Sequence, residues 1–499
     1  MSTARREPIA KVDTAWLRME QPTNLMMITG VIELAEAVDF EHFRRIVANR
    51  FLAFARFRQK AVDTPRGCWW EEDAQFEISS HIRRTALPGK ADKAELEELV
   101  SELASTPLDH TKPLWQFHFV ENYVGGPVVV SRIHHCYADG IALVQVMLSL
   151  TEVSAEASNR LVEQESWKQK RAAESNIFNR LTAPAREGAG LLQSVSQKVI
   201  DEAIDLVQEP HKAAEYLYGA GEIMSELATA LLLDDDPPSR FKGELGVRKQ
   251  VSWGQPLPLE EVKAVGHALG ATVNDVLISV MTGALHRYLV ARGDDPESLT
   301  MRATVPVNLR PLEHARDLGN HFGLVFLDLP IGEVNPLARL YRVAEFMDHL
   351  KRSKQAVMSL GLLALLGMGP AALQRPALEL FSRKASTVLT NVPGPQHPLY
   401  MAGVPIREMM FWVPQTGSIG MGISIISYHG RVYCGLITDN KLVPDPQTVM
   451  GYFVEEFENL LHLTMLIGPQ PGRIDPATAQ AVHEWICTDL GRAGEAGMV

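Results

Sequence analysis

Cysteine is scarce in this chain. Cys68, Cys136, Cys434 and Cys487 are scattered with no CxxC pair among them, which argues against a disulfide framework or a zinc ribbon and fits a reducing compartment. An excess of positive charge is also lacking: 48 Lys and Arg stand against 60 Asp and Glu, a net charge of −12. A chain of that sign is not built to grip polyphosphate, so nucleic acid is not an expected partner. Long apolar runs are missing too. The most apolar stretch, Met358 to Leu373, is interrupted by Pro370 and falls short of the roughly 18–20 residues a spanning helix needs. The amino-terminal MSTARREPIAKVDTAW has no apolar core of the secretory type. GxGxxG, GxxxxGK[ST] and GxSxG do not occur, so Rossmann, P-loop and serine-elbow chemistry are not expected. The expectation from these absences is a cytoplasmic protein that is not integral to a membrane, any contact with one being peripheral.

What is present reads as an ordinary globular protein, with 46% hydrophobic and 22% charged residues. Single cores stop growing near ~250–300 residues, so 499 residues predict two domains. In the first, the spacing predicts a helix from an Asp39 N-cap to Phe54, strands at Cys68–Ile78 and Trp115–Val120, and a helix at Ala91–Ala104. A buried strand at Pro127–His135 follows, and after Gly140 a helix apolar on nearly every face. Residues 155–235 are rich in Ala, Glu, Gln and Lys, with helical spacing at Leu192, Val195, Val199, Ala203 and Leu206. They read either as a connecting helical segment or as an amphipathic surface for lipid. Asp234-Asp235-Asp236-Pro237-Pro238 closes that segment, because consecutive prolines cannot continue a helix.

Beyond it the pattern predicts strands at Arg248–Trp253, Met301–Val307, His321–Leu329, Ser386–Leu389 and Ile406–Val413, and a hairpin turning at His429-Gly430. Helices are expected at Leu259–Leu269, from Thr272 (capping box with Asp275), and at Pro336–Leu350, Met358–Phe381 and Gln447–Leu461. The fold class is α/β, divided as 1–155, a connecting segment 156–240, and 241–499.

The heptapeptide His134-His135-Cys136-Tyr137-Ala138-Asp139-Gly140 carries the chemistry. Successive strand side chains alternate in direction, so only one of the two histidines can face a given cleft. Its imidazole can be a satisfied structural group, a metal ligand with Asp139, or a general base acting on a hydroxyl at neutral pH. No third metal ligand stands at recognisable spacing, so no metal is expected. Gly140 is expected to allow the sharp turn into the helix.

This motif resembles the HHxxxDG signature of coenzyme-A-dependent acyltransferases of the chloramphenicol acetyltransferase-like superfamily. Within it, the chain looks most like the bacterial wax ester synthase/acyl-CoA:diacylglycerol acyltransferase family. Pro113-Leu114-Trp115, LGATVNDVLISVMTGAL around Asn274-Asp275, and Thr390-Asn391-Val392-Pro393-Gly394-Pro395 stand in that family's order, and the likeness runs from about Asp13-Thr14-Ala15-Trp16 to the final helix. The resemblance implies two chloramphenicol acetyltransferase-like α/β domains in a pseudo-dimeric sandwich with a central tunnel. It also implies direct transfer of a long-chain acyl group from acyl-CoA to a fatty alcohol or diacylglycerol, with no bound cofactor. His135 would be the general base, His134 would shape the loop, and Asp139 would partner an arginine, for which Arg310 is the candidate. Gly140, Asn274, Ser386, Thr390, Asn391 and Trp115 form the implied substrate-binding set, with packing as the other reading of Trp115. Products that separate from water imply contact with the inner membrane or lipid bodies through apolar surface. A superfamily acyltransferase using a carrier-protein thioester and a non-catalytic lipid binder are the alternatives.

Overall fold

The structure, a computed structural model, describes residues 6–65, 67–163, 233–309, 318–352 and 381–467, with isolated positions at 359, 379, 474, 478 and 481. Val128–His134 is buried at every position, as a strand with neighbours on both sides and cover on both faces must be. It lies within a six-stranded sheet whose order is Tyr400–Met401, Val404–Trp412, Met27–Leu34, Val128–His134, Trp115–Val120 and Ile82–Thr85. A seven-stranded sheet forms the second half. Its main path runs Phe322–Leu329, Met301–Asn308, Thr387–Pro393, Met421–Tyr428, Arg431–Asp439 and Lys249–Trp253, with Leu257–Pro258 beside Arg431–Asp439.

Local signals explain several element ends. Asp39 caps Phe40–Arg50 by accepting from the Glu41 N–H, and Thr272 and Asp275 form the expected reciprocal box ahead of Val273–Ala291. His429 and Gly430 turn the second-half hairpin with φ of 45° and 72°, the two left-handed residues that match strand twist. The strand expected over Cys68–Ile78 is shorter, Gly67–Glu72. Asp73 ends it, its carboxylate accepting from Gln75 N and its carbonyl from Phe76 N, a side-chain turn that competes with the ladder. Most of the helix expected at Met358–Phe381 and most of 155–235 lie outside the described residues, Ala155–Glu163 and 233–235 being the described parts of the latter.

Two exchanges join the halves. Val404–Trp412, from the second half of the chain, pairs antiparallel with Met27–Leu34 in the first sheet, Trp412 opposite Thr29. In return, helix Lys93–Ser105 covers the edge strand Lys249–Trp253. The Lys249, Val251 and Trp253 N–H groups donate to Ser105 Oγ, Ser101 Oγ and Glu97 Oε1 at 2.8, 2.9 and 3.2 Å. Steps of four residues along a helix advance about 6 Å, and steps of two along a strand about 6.6 Å, so the two rows match. An exposed row of strand donors, which would invite pairing with another chain, is thereby used up.

Candidate active site

The catalytic-type loop begins where Val128–His134 leaves the sheet, at the junction of the halves. A cavity there is lined by Trp16, His135, Asp139 and Gly140 from the first half. Thr304, Asn308, Phe322, Leu324, Val388, Thr390, Asn391 and Val392 are among the residues lining it from the second.

The two histidines part company. His134 is fully buried on the far side of the strand. Its Nδ1 accepts from the Cys136 N–H at 3.1 Å, and its Nε2 lies 3.2 Å from Glu20 Oε2. Glu20 also meets His110 Nε2 at 2.9 Å and accepts from Met26 N at 3.1 Å. Although burial opposes ionisation, His110 and His134 hold the Glu20 carboxyl well below the usual range, and Glu20 in turn raises His110. Neither His134 nor Glu20 lines the cavity.

His135 does. Its ring stacks on Trp16 with centroids 4.3 Å apart and planes at 26°, and meets Phe322 at 5.6 Å and 59°. Burial lowers its imidazole to about 4, with the Asp139 charge opposing only in part, so it is neutral at pH 7 and able to accept a proton. The backbone is pinned on both sides: His135 N donates to Met26 O at 2.7 Å, and its carbonyl accepts from Asn320 Nδ2 at 2.9 Å. Asn320 also donates to Asp13 Oδ1 through Nδ2 at 2.8 Å and through its backbone N at 3.0 Å. Burial pushes Asp13 up to about 7, against the lowering effect of those bonds.

Asp139 caps helix Gly140–Leu148, with Oδ1 accepting from Ala142 N at 2.9 Å and Oδ2 from His321 N at 3.1 Å. Arg310, its expected partner, lies outside the described residues. Gly140 corrects one expectation. It is not among the left-handed glycines, and a Cβ built on it would meet nothing within 4 Å, so it opens space at the cavity rather than enabling a sharp turn.

Among the other expected residues, Thr390 and Asn391 line the cavity. Asn391 Nδ2 donates to Asn274 Oδ1, which puts Asn274 directly behind the wall. Ser386 and Trp115 are corrections. Ser386 shares the parity of Thr390 but sits four residues, about 13 Å, back along the chain. It is fully buried, and its hydroxyl donates to Asp236. Trp115 is fully buried with its indole N–H donated to Phe57 O at 2.7 Å. It serves the loop as scaffold: the neighbouring Leu114 carbonyl accepts from His134 N, and Tyr137 Oη donates to Gln59 O while accepting from Leu114 N. Cys136 is buried with its thiol pushed well above its ordinary range by desolvation, which makes it a poor nucleophile.

Sequence reasoning missed Trp16, Asp13, Glu20 and Asn320 as site residues. One signal was available: Asp13 and Trp16 are three apart, hence on one face of helix Lys11–Met19, and an acid on a buried apolar face calls for a partner.

Residues 9–277 match the wax ester synthase/diacylglycerol acyltransferase catalytic domain, and residues 318–461 match the WS/DGAT C-terminal domain. Two Mycobacterium tuberculosis H37Rv proteins named as diacylglycerol O-acyltransferases are each 26% identical. One alignment covers 92% of this chain and 91% of the relative, the other 88% and 92%. Among solved structures, the wax ester synthase/diacylglycerol acyltransferase of Marinobacter aquaeolei VT8 is similar with a TM-score of 0.65 at 20% identity, covering 92% of this chain and 99% of that one. The first condensation domain of the CDA synthetase has a TM-score of 0.55 at 17% identity, covering 93% and 97%. These structural likenesses carry the two-domain α/β fold expected from the sequence. The catalytic-domain match alone spans more than half of the chain, and the protein therefore belongs to the wax ester synthase/diacylglycerol acyltransferase family.

Proposed function

We propose that this protein is an O-acyltransferase that moves a long-chain acyl group from acyl-CoA to the hydroxyl of a fatty alcohol or diacylglycerol, releasing coenzyme A. The observation that carries the reading is a neutral, buried imidazole, His135, lining an otherwise largely apolar cavity where the two halves meet. In the proposed step His135 takes the acceptor's hydroxyl proton as its oxygen attacks the thioester carbonyl. The tetrahedral oxyanion collapses, the C–S bond breaks, and the imidazolium returns the proton to the thiolate. The Thr390 hydroxyl, on the strand face that also brings Val388 and Val392 to the cavity, is the proposed oxyanion donor; one good donor contributes about 3–4 kcal/mol in such states. No acyl-enzyme is required, which accords with the unreactive Cys136.

A starter condensation domain of similar fold, with a TM-score of 0.55, was solved with C8-CoA, which supports acyl-CoA as donor here. Both acceptors and products favour an apolar phase, so we place the working enzyme at a lipid surface, held peripherally. No single helix among the described residues is long and apolar enough to cross a membrane. The bent apolar pair Leu259–Ala268 and Val273–Ala291 belongs to the second-half core, where Val273–Ala291 packs on Pro336–Arg352 and Pro446–Ile467.

The test is coenzyme A release from palmitoyl-CoA by the purified full chain, with hexadecanol, dipalmitoylglycerol or no acceptor, and chromatographic identification of the ester. Release that depends on an acceptor and yields ester is expected. Equal release without acceptor would make the protein a thioesterase, and no release would move the donor to a carrier-protein thioester or remove catalysis.

A further inference from the structure

Three consecutive second-half residues, Gly319, Asn320 and His321, each bond to the His134–Gly140 loop of the first half. Gly319 N donates to Tyr137 O at 3.1 Å and its carbonyl accepts from Asp139 N at 3.2 Å. Asn320 Nδ2 holds the His135 carbonyl, and His321 N meets the Asp139 carboxylate. Gly319 adopts φ of 114°, which a residue with a Cβ does not take without strain.

Asn320 is the pivot. Its Nδ2 is shared between Asp13 Oδ1 and His135 O, and its backbone N–H goes to the same Asp13 oxygen. Asp supplies no side-chain donor and Ser only one, whereas a carboxamide supplies two N–H bonds from one atom. The His135 carbonyl opposite it accepts only, so the amide orientation is fixed by chemistry. Asp13 is itself only 4% exposed, an expensive place for a carboxyl unless hydrogen bonds are its purpose.

The rings follow the same two elements. Trp16, one turn after Asp13, stacks on the His135 imidazole, and Phe322, two residues after Asn320, meets it as well. Each element thus contributes one polar anchor and one ring.

We propose that Asp13 and Asn320 are positioning residues of the acyl-transfer step, forming one clamp that crosses between the halves and fixes the base His135 against the cavity wall supplied by the second half. The inference rests on the acyltransferase reading. Because the hydrogen bonds of the Asp13 carboxyl among the described residues go to Asn320, which in turn holds the loop, the two side chains act in series.

The test is a double-mutant cycle in the full chain, with palmitoyl-CoA and the better acceptor, reading kcat, KM and thermal unfolding. Misplacement of a base by about 1 Å costs about 10²-fold, so Asn320→Ala is expected to lose about that much kcat. The KM for palmitoyl-CoA should stay within about 3-fold, since ground-state binding is untouched. Asp13→Ala should lose kcat alone, and the double variant should be no worse than Asn320→Ala. Asp13→Asn, which keeps an acceptor oxygen, should recover most of the activity that the apolar near-isostere Asp13→Leu loses. Parental kcat in Asn320→Ala, multiplying losses in the double variant, or a loss confined to KM would overturn the proposal. Should Asn320→Ala lack a cooperative unfolding transition, equal activity of Asp13→Asn and Asp13→Leu would overturn it instead. A parental chain that turns over no acyl-CoA would overturn the acyltransferase reading and this proposal with it; turnover unchanged by the variants would overturn only the latter.

Discussion

The indole of Trp16 lies against the imidazole of His135, 4.3 Å between centroids, and so removes from water one face of the group proposed to carry the proton. Both rings are buried, at 3% and 4% exposure. Desolvation is the largest cause of the lowered His135 pKa, and Trp16 supplies part of it. Trp16→Ala is therefore expected to cost at least about 10-fold in kcat and to move the imidazole back toward its ordinary value near 6.5. Trp16→Phe should preserve most of both. The acid limbs of the pH–rate profiles of the three proteins are the check.

The pH dependence itself has a definite sign. A base must be neutral to act, and His135 titrates at about 4. The expected kcat/KM is flat from pH 8 to about 5 and falls only below that, as the imidazole gains a proton. Folding follows the same direction. The unfolded chain protonates this histidine near 6.5, before the folded one does, so its contribution to stability is present above 6.5 and lost as pH falls toward 4. A kinetic midpoint near 6.5 with intact structure would contradict the assignment of buried His135 as the base.

Thr390→Val keeps the shape of a cavity-lining residue while deleting its hydroxyl. If that hydroxyl serves the oxyanion, kcat falls by about 10²-fold, in the range found for single oxyanion donors, with little change in KM. Steady-state kinetics on a variant with parental thermal stability decides it.

Ser386 and Trp115 should behave in the opposite way. Ser386→Ala takes a donor from the buried Asp236 carboxylate, and Trp115→Phe orphans the Phe57 carbonyl. Each is expected to cost about 1–3 kcal/mol of stability while the folded fraction keeps parental kcat. Urea midpoints measured beside the kinetics separate the two effects.

Local chemistry made much of the fold legible. The caps at Asp39 and Thr272 and the His429-Gly430 turn are decided within a few residues of chain, and they stand where the sequence puts them. The buried strand leading to His134 was equally readable, because a run buried on both faces has no polar alternation. The exchange of Val404–Trp412 into the first sheet was not. Its alternation announces a strand, but a strand's partner is set by contacts hundreds of residues away, here Met27–Leu34.

The site divides along the same line. His135 and Asp139 sit in one short motif, whereas Asp13, Trp16, Asn320 and Phe322 acquire a role only when two distant elements close on that motif. Ser386 shows the reverse error: it has the right residue type and strand parity, but it lies about 13 Å along the chain from Thr390.

The central claim is that His135 moves the proton in a direct acyl transfer. Its most direct test is ester formation from palmitoyl-CoA and hexadecanol or dipalmitoylglycerol by the parental chain and by His135→Ala, with acyl-CoA binding measured on both. The account predicts acceptor-dependent ester from the parent. In the variant it predicts a loss of about 10²–10⁴-fold, the usual contribution of a positioned base, with acyl-CoA binding retained. Ester formation by His135→Ala at the parental rate would contradict it.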